Sequence, residues 1–120
     1  MYIGDQRIVA SVAKSNTANT VATELSNAIN SNQALPVTAA VEAAEITLTA
    51  RHKGLIGNNI PLALNYYAPA GGEKTPPGLN VSIAAMSGGT GSPDMTAVIT
   101  AMGDTLFDFI GLPFGDTDSL

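Results

Sequence analysis

The chain of 120 residues contains no cysteine and no tryptophan, one histidine and five cationic side chains. Without cysteine there are no disulfides, thiol nucleophiles or thiolate metal sites. A single histidine excludes a His-rich zinc site within one chain. Five Lys and Arg against ten Asp and Glu give a formal charge of −5. Non-specific nucleic-acid binding needs clustered cations to displace counterions, and docking on anionic lipid needs a polybasic stretch. Neither partner is expected. No apolar run approaches the ~20 residues of a membrane span. The start, MYIGDQRIVA, lacks the pattern of a secretory signal and reads as the interior of a longer protein.

What is abundant is small and apolar. Hydrophobic residues make up 45% of the chain and aromatics 5%, so a core is affordable but must be built from Ala, Val, Ile, Leu and Met. Charge is unevenly spread. Asp94, Asp104, Asp108, Asp116 and Asp118 fall in residues 94–120, which contain no Lys or Arg, so this end carries an acidic surface.

The pattern predicts a strand at Ile8–Ala13, then a helix capped by Asn16 or Thr17. Ala18, Val21, Ala22, Leu25, Ala28 and Ile29 form its stripe. Val37–Val41 and Ile46–Ala50 read as strands, with Glu42 and Glu45 near the hairpin turn between them. Ile60–Tyr66 alternates as a strand, burying one of Tyr66 and Tyr67, and Leu79–Ala85 alternates again. Ser92 as N-cap and Pro93 at the first position start a second helix whose stripe is Met95, Val98, Ile99 and Met102, stopped by Gly103. Phe107–Leu112 reads as a final strand. The expected fold is α+β, a mostly antiparallel sheet of five to six strands with two helices on one side.

Catalytic motifs are weak. SGGTGSPD resembles a phosphate loop, but Ser92-Pro93-Asp94 stands where Lys and Ser or Thr belong; a turn and cap explain it better. His52 has no positioned partner in the sequence, and no nucleophile elbow is present. Glu42/Glu45 could serve a hydrolase and Asp116/Asp118 a cation, but charged turn residues account for both pairs. No enzyme, cofactor or metal site is expected.

Three blocks together, LTARHKGLIGNNIPL (48–62), PPGLNVSIAAMSGGTGSPDM (76–95) and FDFIGLPFGDTDSL (107–120), resemble the tail sheath protein of Mu-like contractile-tailed bacteriophages and prophages. That resemblance implies a structural virion protein. Its subunits polymerise around the tail tube, in the phage tail after assembly in the host cytoplasm, and shorten to drive the tube through the host envelope. The implied partners are other sheath subunits and the tube, and a piece this short is compatible with a monomer. Residues 1–105 would form a compact sheath module, with 106–120 leading into a central domain that the piece lacks. Arg51 and Lys53, with Asp116 and Asp118, are the candidate subunit contacts. A phage adhesin or receptor-binding domain is the alternative function, favoured if Tyr66-Tyr67 forms an exposed aromatic cluster; a hydrolase using His52 ranks third.

Overall fold

The computed structural model describes residues 1–111. It has two helices and two separate antiparallel sheets, so the α+β class holds, but the strands do not join into one sheet. The first sheet has the order β2-β1-β5, from β1 (Tyr2–Ile3), β2 (Gln6–Arg7) and β5 (Leu62–Ala63). The second is a hairpin of β3 (Val37–Glu42) and β4 (Glu45–Ala50), paired from Val37↔Ala50 to Glu42↔Glu45.

Helix α1 (Ala18–Ser31) follows its sequence closely. Thr17 is the N-cap, its side chain accepting from the Thr20 amide, which satisfies one of the orphan donors of the first turn. Ala22, Ser26 and Ile29 are buried along one stripe, with Leu25 partly buried beside them. That stripe packs chiefly on β3. An isolated two-stranded hairpin is marginal in water, so its packing on α1 is what makes β3–β4 a stable unit.

The core joins the two sheets. Ile3, Ile8, Ile29, Leu35 and Val37 are its buried cluster, with Met1, Leu25, Leu48, Ile60, Leu62 and Met86 packed around it. Fully burying such a side chain contributes roughly 1.5–3 kcal/mol. Apart from Met86, every member lies within the first 62 residues. The later chain extends outward: the Cα radius of gyration is 19.2 Å, against about 14 Å for a compact chain of this length.

Several expected strands are corrected. Past Ile8, which closes the β1–β2 ladder against Met1, residues 9–13 have no neighbouring strand among the described residues, and Val9 is 66% exposed. The Ile60–Tyr66 strand shrinks to Leu62–Ala63 because Asn65 takes a left-handed φ of 51°. Leu79–Ala85 keeps its alternation but pairs with no strand among the described residues, and residues 106–111 form no strand. Leu112, the end of that last expected strand, lies outside the described residues. Helix α2 (Thr96–Met102) begins later than Ser92-Pro93 predicts. Asp94, one residue ahead of the cap position Met95, accepts from the Thr96 amide at 2.8 Å, while Gly103 ends the helix at a φ of 55° as expected. The α2 stripe is not buried: Val98 and Ile99 are half exposed.

The hairpin turn puts an alanine where glycine is favoured. Ala43 has φ 54°, the positive value that a two-residue hairpin loop requires at its first central position. Ala43→Gly is therefore expected to raise stability by about 1 kcal/mol in denaturant unfolding; an unchanged or lower midpoint would contradict the strain.

Candidate functional site

Two side-chain clusters stand out, and neither is a catalytic constellation. The first is built where the turn after β4 meets the glycine-rich segment. Leu55 to Asn59 form a 3-10 turn after β4. Gly54 has φ 110°, a backbone state open to glycine. Gly57 serves differently: a Cβ there would stand 3.0 Å from the Ala50 Cβ, so it permits a close approach. Asn58 donates to the Gly89 carbonyl at 3.0 Å and accepts from the Gly89 amide at 2.7 Å. Leu55 adds a backbone bond to Gly91 at 3.1 Å. A side chain at Gly89 would meet the Gly54 carbonyl at 2.5 Å. The glycines of SGGTG thus form half of a latch. Its Gly89 amide is already occupied by Asn58, which leaves it no role in cradling a phosphate.

The candidate residues sit around this latch. Arg51 follows β4, and its Nε donates to the Leu35 carbonyl at 3.0 Å, so this charge also closes the open end of the hairpin. Lys53 is exposed and makes no ion pair among the described residues. His52 is exposed too, without a carboxylate or hydroxyl partner among the described hydrogen bonds. Glu42 and Glu45 face one another across the exposed hairpin tip, where like charges weaken the pairing. Asp116 and Asp118 lie outside the described residues. Among the described residues no group of three or more His, Cys, Asp or Glu could hold a metal, and no helix is long and apolar enough to cross a membrane.

The second cluster was not legible in the sequence. Glu73, in the loop PAGGEKTPPG, is 8% exposed. Its carboxylate accepts from the Tyr2 hydroxyl and from the Tyr67 amide at 3.1 Å, and pairs with Arg7 Nε at 3.3 Å. These bonds tie the loop after β5 to β1 and β2. They also gather three tyrosines, with ring centroids 5.1 to 6.1 Å apart and edge-to-face or tilted geometry. Tyr66 is 70% and Tyr67 60% exposed. The expectation that one of them is buried fails because the strand ends at Ala63, so alternation no longer applies. Nothing local marked Glu73 in the sequence, since two of its side-chain partners, Tyr2 and Arg7, stand far off along the chain.

The Tyr2 hydroxyl is the largest cause holding the Glu73 carboxyl below its ordinary value, helped by the Tyr67 amide, Arg7 and the amino-terminal ammonium and opposed by burial. Reciprocally, the Glu73 carboxylate raises the Tyr2 phenol. A depressed carboxyl contributes stability above its unfolded value and loses it as pH falls through the folded one. Acidification from about pH 4.5 downward should therefore loosen the tyrosine loop, read as tyrosine fluorescence or hydrogen exchange at Tyr67. Glu73→Gln should abolish that acid transition, and an unchanged acid response in the variant would contradict the assignment.

No family model matches the chain, and no solved structure matches it. A relative does. The Mu-like prophage FluMu tail sheath protein of Haemophilus influenzae is 40% identical to it over 120 residues, which is 100% of this chain and 24% of the relative. The chain therefore spans about a quarter of that relative's length. The match includes all three blocks that carry the resemblance, and the described parts of two of them, Leu48–Leu62 and Pro76–Met95, meet at the Asn58–Gly89 latch. Along the whole of its length, the chain is similar to a stretch of a Mu-like prophage tail sheath protein.

Proposed function

We propose that this chain is a structural piece of a contractile tail sheath. The observation that carries the reading is 40% identity over every residue of the chain to a protein of that name. On this reading the sheath polymerises helically around the tail tube in the virion and shortens to drive the tube through the host envelope. Its partners are other sheath subunits and the tube, and assembly takes place in the host cytoplasm. Residues 1–105 serve as an α+β module of the sheath, and 106–120 lead toward a further domain. The chain's contribution is mechanical and carries no catalytic step.

Arg51 and Lys53 stand on an exposed turn at the end of β4, where they can meet acidic residues such as Asp116 and Asp118 of a neighbouring subunit. Charges of this kind set orientation and register more than affinity. Because Arg51 also holds the Leu35 carbonyl, Lys53→Glu is the cleaner variant, with the double reversal of Arg51 and Lys53 as its stronger form. In a complete sheath protein these changes should yield misassembled or non-contracting sheaths by electron microscopy; normal sheaths from both variants would overturn the contact.

The exposed tyrosine cluster favours a second reading, a receptor-binding surface. Aromatic anchors of this exposure are enriched at binding hot spots. Replacing both Tyr66 and Tyr67 with Ala would abolish binding of the chain to host-surface polysaccharide if that reading holds. No binding by the parent chain, in the same pull-down, would remove it.

A further inference from the structure

Leu79–Ala85 alternates like a strand, yet no strand pairs with it among the described residues, while the β3–β4 hairpin has an edge left bare. The two-residue turn makes Glu42 and Glu45 a hydrogen-bonded pair. The alternating ladder then turns the N–H and C=O groups of Ala39 on one side, and of Ile46, Leu48 and Ala50 on the other, outward. On the β3 side, Asn30 of α1 takes both polar groups of Ala39, at 2.8 and 2.9 Å, and the Ser26 hydroxyl adds a third bond. On the β4 side, no described residue bonds to the backbone of Ile46, Leu48 or Ala50. β4 reads EITLTA and has no Pro, Lys or bulge, the usual protections of an exposed edge.

Residues 79–86, LNVSIAAM, are the matching half. From Asn80 to Gly88 the chain makes no backbone hydrogen bond among the described residues, and Val81 is 47% and Ile83 36% exposed. Both ends of this stretch are held, by a Leu79 amide bond to the Pro76 carbonyl at 3.2 Å and by the grip of Asn58 on Gly89. A glycine with positive φ stands at each end, Gly78 at 88° and Gly88 at 81°, so the stretch between them can swing as a unit. A cleft of about 420 Å³ separates it from β4, lined by Leu48, Thr49 and Ala50 on the one hand and Met86, Ser87 and Gly88 on the other.

We propose that residues 79–86 are a strap that closes as a third strand on the open edge of β4 within the same chain. Two anchors set its direction. Leu48 and Met86 both pack on the core, and both segments then run to the latch, β4 through Arg51 to Leu55 and Asn58, the strap through Gly88 to Gly89 and Gly91. The strap therefore lies parallel to β4, and residues 51–78 form the long crossover that a parallel pair needs. Matching of faces then chooses the register. Ile46, Leu48 and Ala50 are the half-buried face of β4, and Val81, Ile83 and Ala85 alternate with Ser82 and Ala84. Setting Ile46 beside Ile83 and Leu48 beside Ala85 keeps the apolar faces together and leaves Thr47 beside Ala84 on the exposed face. Closure covers Val81 and Ile83, removes the bare edge and turns the hairpin into a three-stranded sheet, the size at which sheets gain independent stability. It is a property of the single chain and stands apart from the sheath reading.

The unsubstituted chain gives the first test, by amide hydrogen exchange. Every second amide between Val81 and Ala85, those turned toward β4, should exchange about tenfold or more slowly than unstructured chain; uniformly fast exchange would overturn the closure. The absence of cysteine makes the second test direct. The Thr47→Cys/Ala84→Cys double variant is oxidised, with Thr49→Cys/Ala84→Cys covering the register two residues away. The expected product is a disulfide within one chain, lost when Ile83→Asp puts a charge on the apolar face. Leu79 also faces Val12 and Ala13 across a second cleft, so Ser11→Cys/Ser82→Cys measures pairing with residues 9–13 instead. Four outcomes here overturn the proposal: no disulfide in either β4 pair, a yield that survives Ile83→Asp, a higher yield from the Ser11/Ser82 pair, or disulfides between chains in place of those within one. Circular dichroism reports whether α1 and the hairpin stay folded, and where a variant unfolds the exchange pattern of the unsubstituted chain decides.

Discussion

Asn30 sits one residue from the end of α1 and holds Ala39 of β3 through both ends of its side-chain amide. This pair of bonds fixes how the helix lies against the hairpin, and the core depends on that placement. With α1 held there, Ala22, Leu25 and Ile29 face the core, and Val37 is carried into full burial beside Ile3 and Leu35. The amide also occupies the one outward-facing N–H and C=O that would otherwise let another strand approach β3 at its centre. An aspartate or leucine there could satisfy at most one of the two backbone groups. Asn30, with the Ser26 hydroxyl beside it, thus seals the edge, while the buried stripe of α1 carries the packing of the helix.

The rest of the molecule divides according to distance from that clasp. Residues 1–65 supply nearly all the core, whereas the described chain from Leu79 onward contributes Met86 and otherwise exposes most of its apolar side chains. Large apolar residues left in water over a contiguous stretch mark surfaces meant to be covered. The latch between Asn58 and Gly89 is the junction between these two regimes. It anchors the later chain to the turn after β4 and leaves the segment beyond it to reach outward. The module is thus small-cored at one end and leaves apolar side chains uncovered at the other.

What the sequence disclosed depended on whether a pattern needed a partner. Helix α1 was legible because its hydrogen bonds are internal and Thr17, the stripe and the terminating Asn32–Pro36 stretch are all local. The β3–β4 hairpin was legible because its two strands are joined by two residues. Ile8–Ala13, Leu79–Ala85 and Phe107–Leu112 read as strands from their apolar content, and Leu79–Ala85 alternates cleanly, but such a pattern records only which side chains can share a face. A strand also needs a neighbouring backbone, and beyond Ile8 none among the described residues pairs with these segments. The two-residue strands β1, β2 and β5 are too short to show any period at all. Arg51, His52 and Lys53 drew attention as a concentration of charge, yet the region is held together by Asn58 and by glycines that touch other backbone. Glu73 escaped notice because its partners, Tyr2 and Arg7, are near the opposite end of the chain.

The bond between Tyr2 and Glu73 joins residues 71 apart, whereas Asn30 and Ala39 are separated by only 9. During synthesis the two ends of that longer span do not exist together until Glu73 has been made. The helix and hairpin can close on themselves while the first strand still waits. The tyrosine clasp is thus a late seal, and Ile3 and Ile8 wait for β5 to complete their sheet.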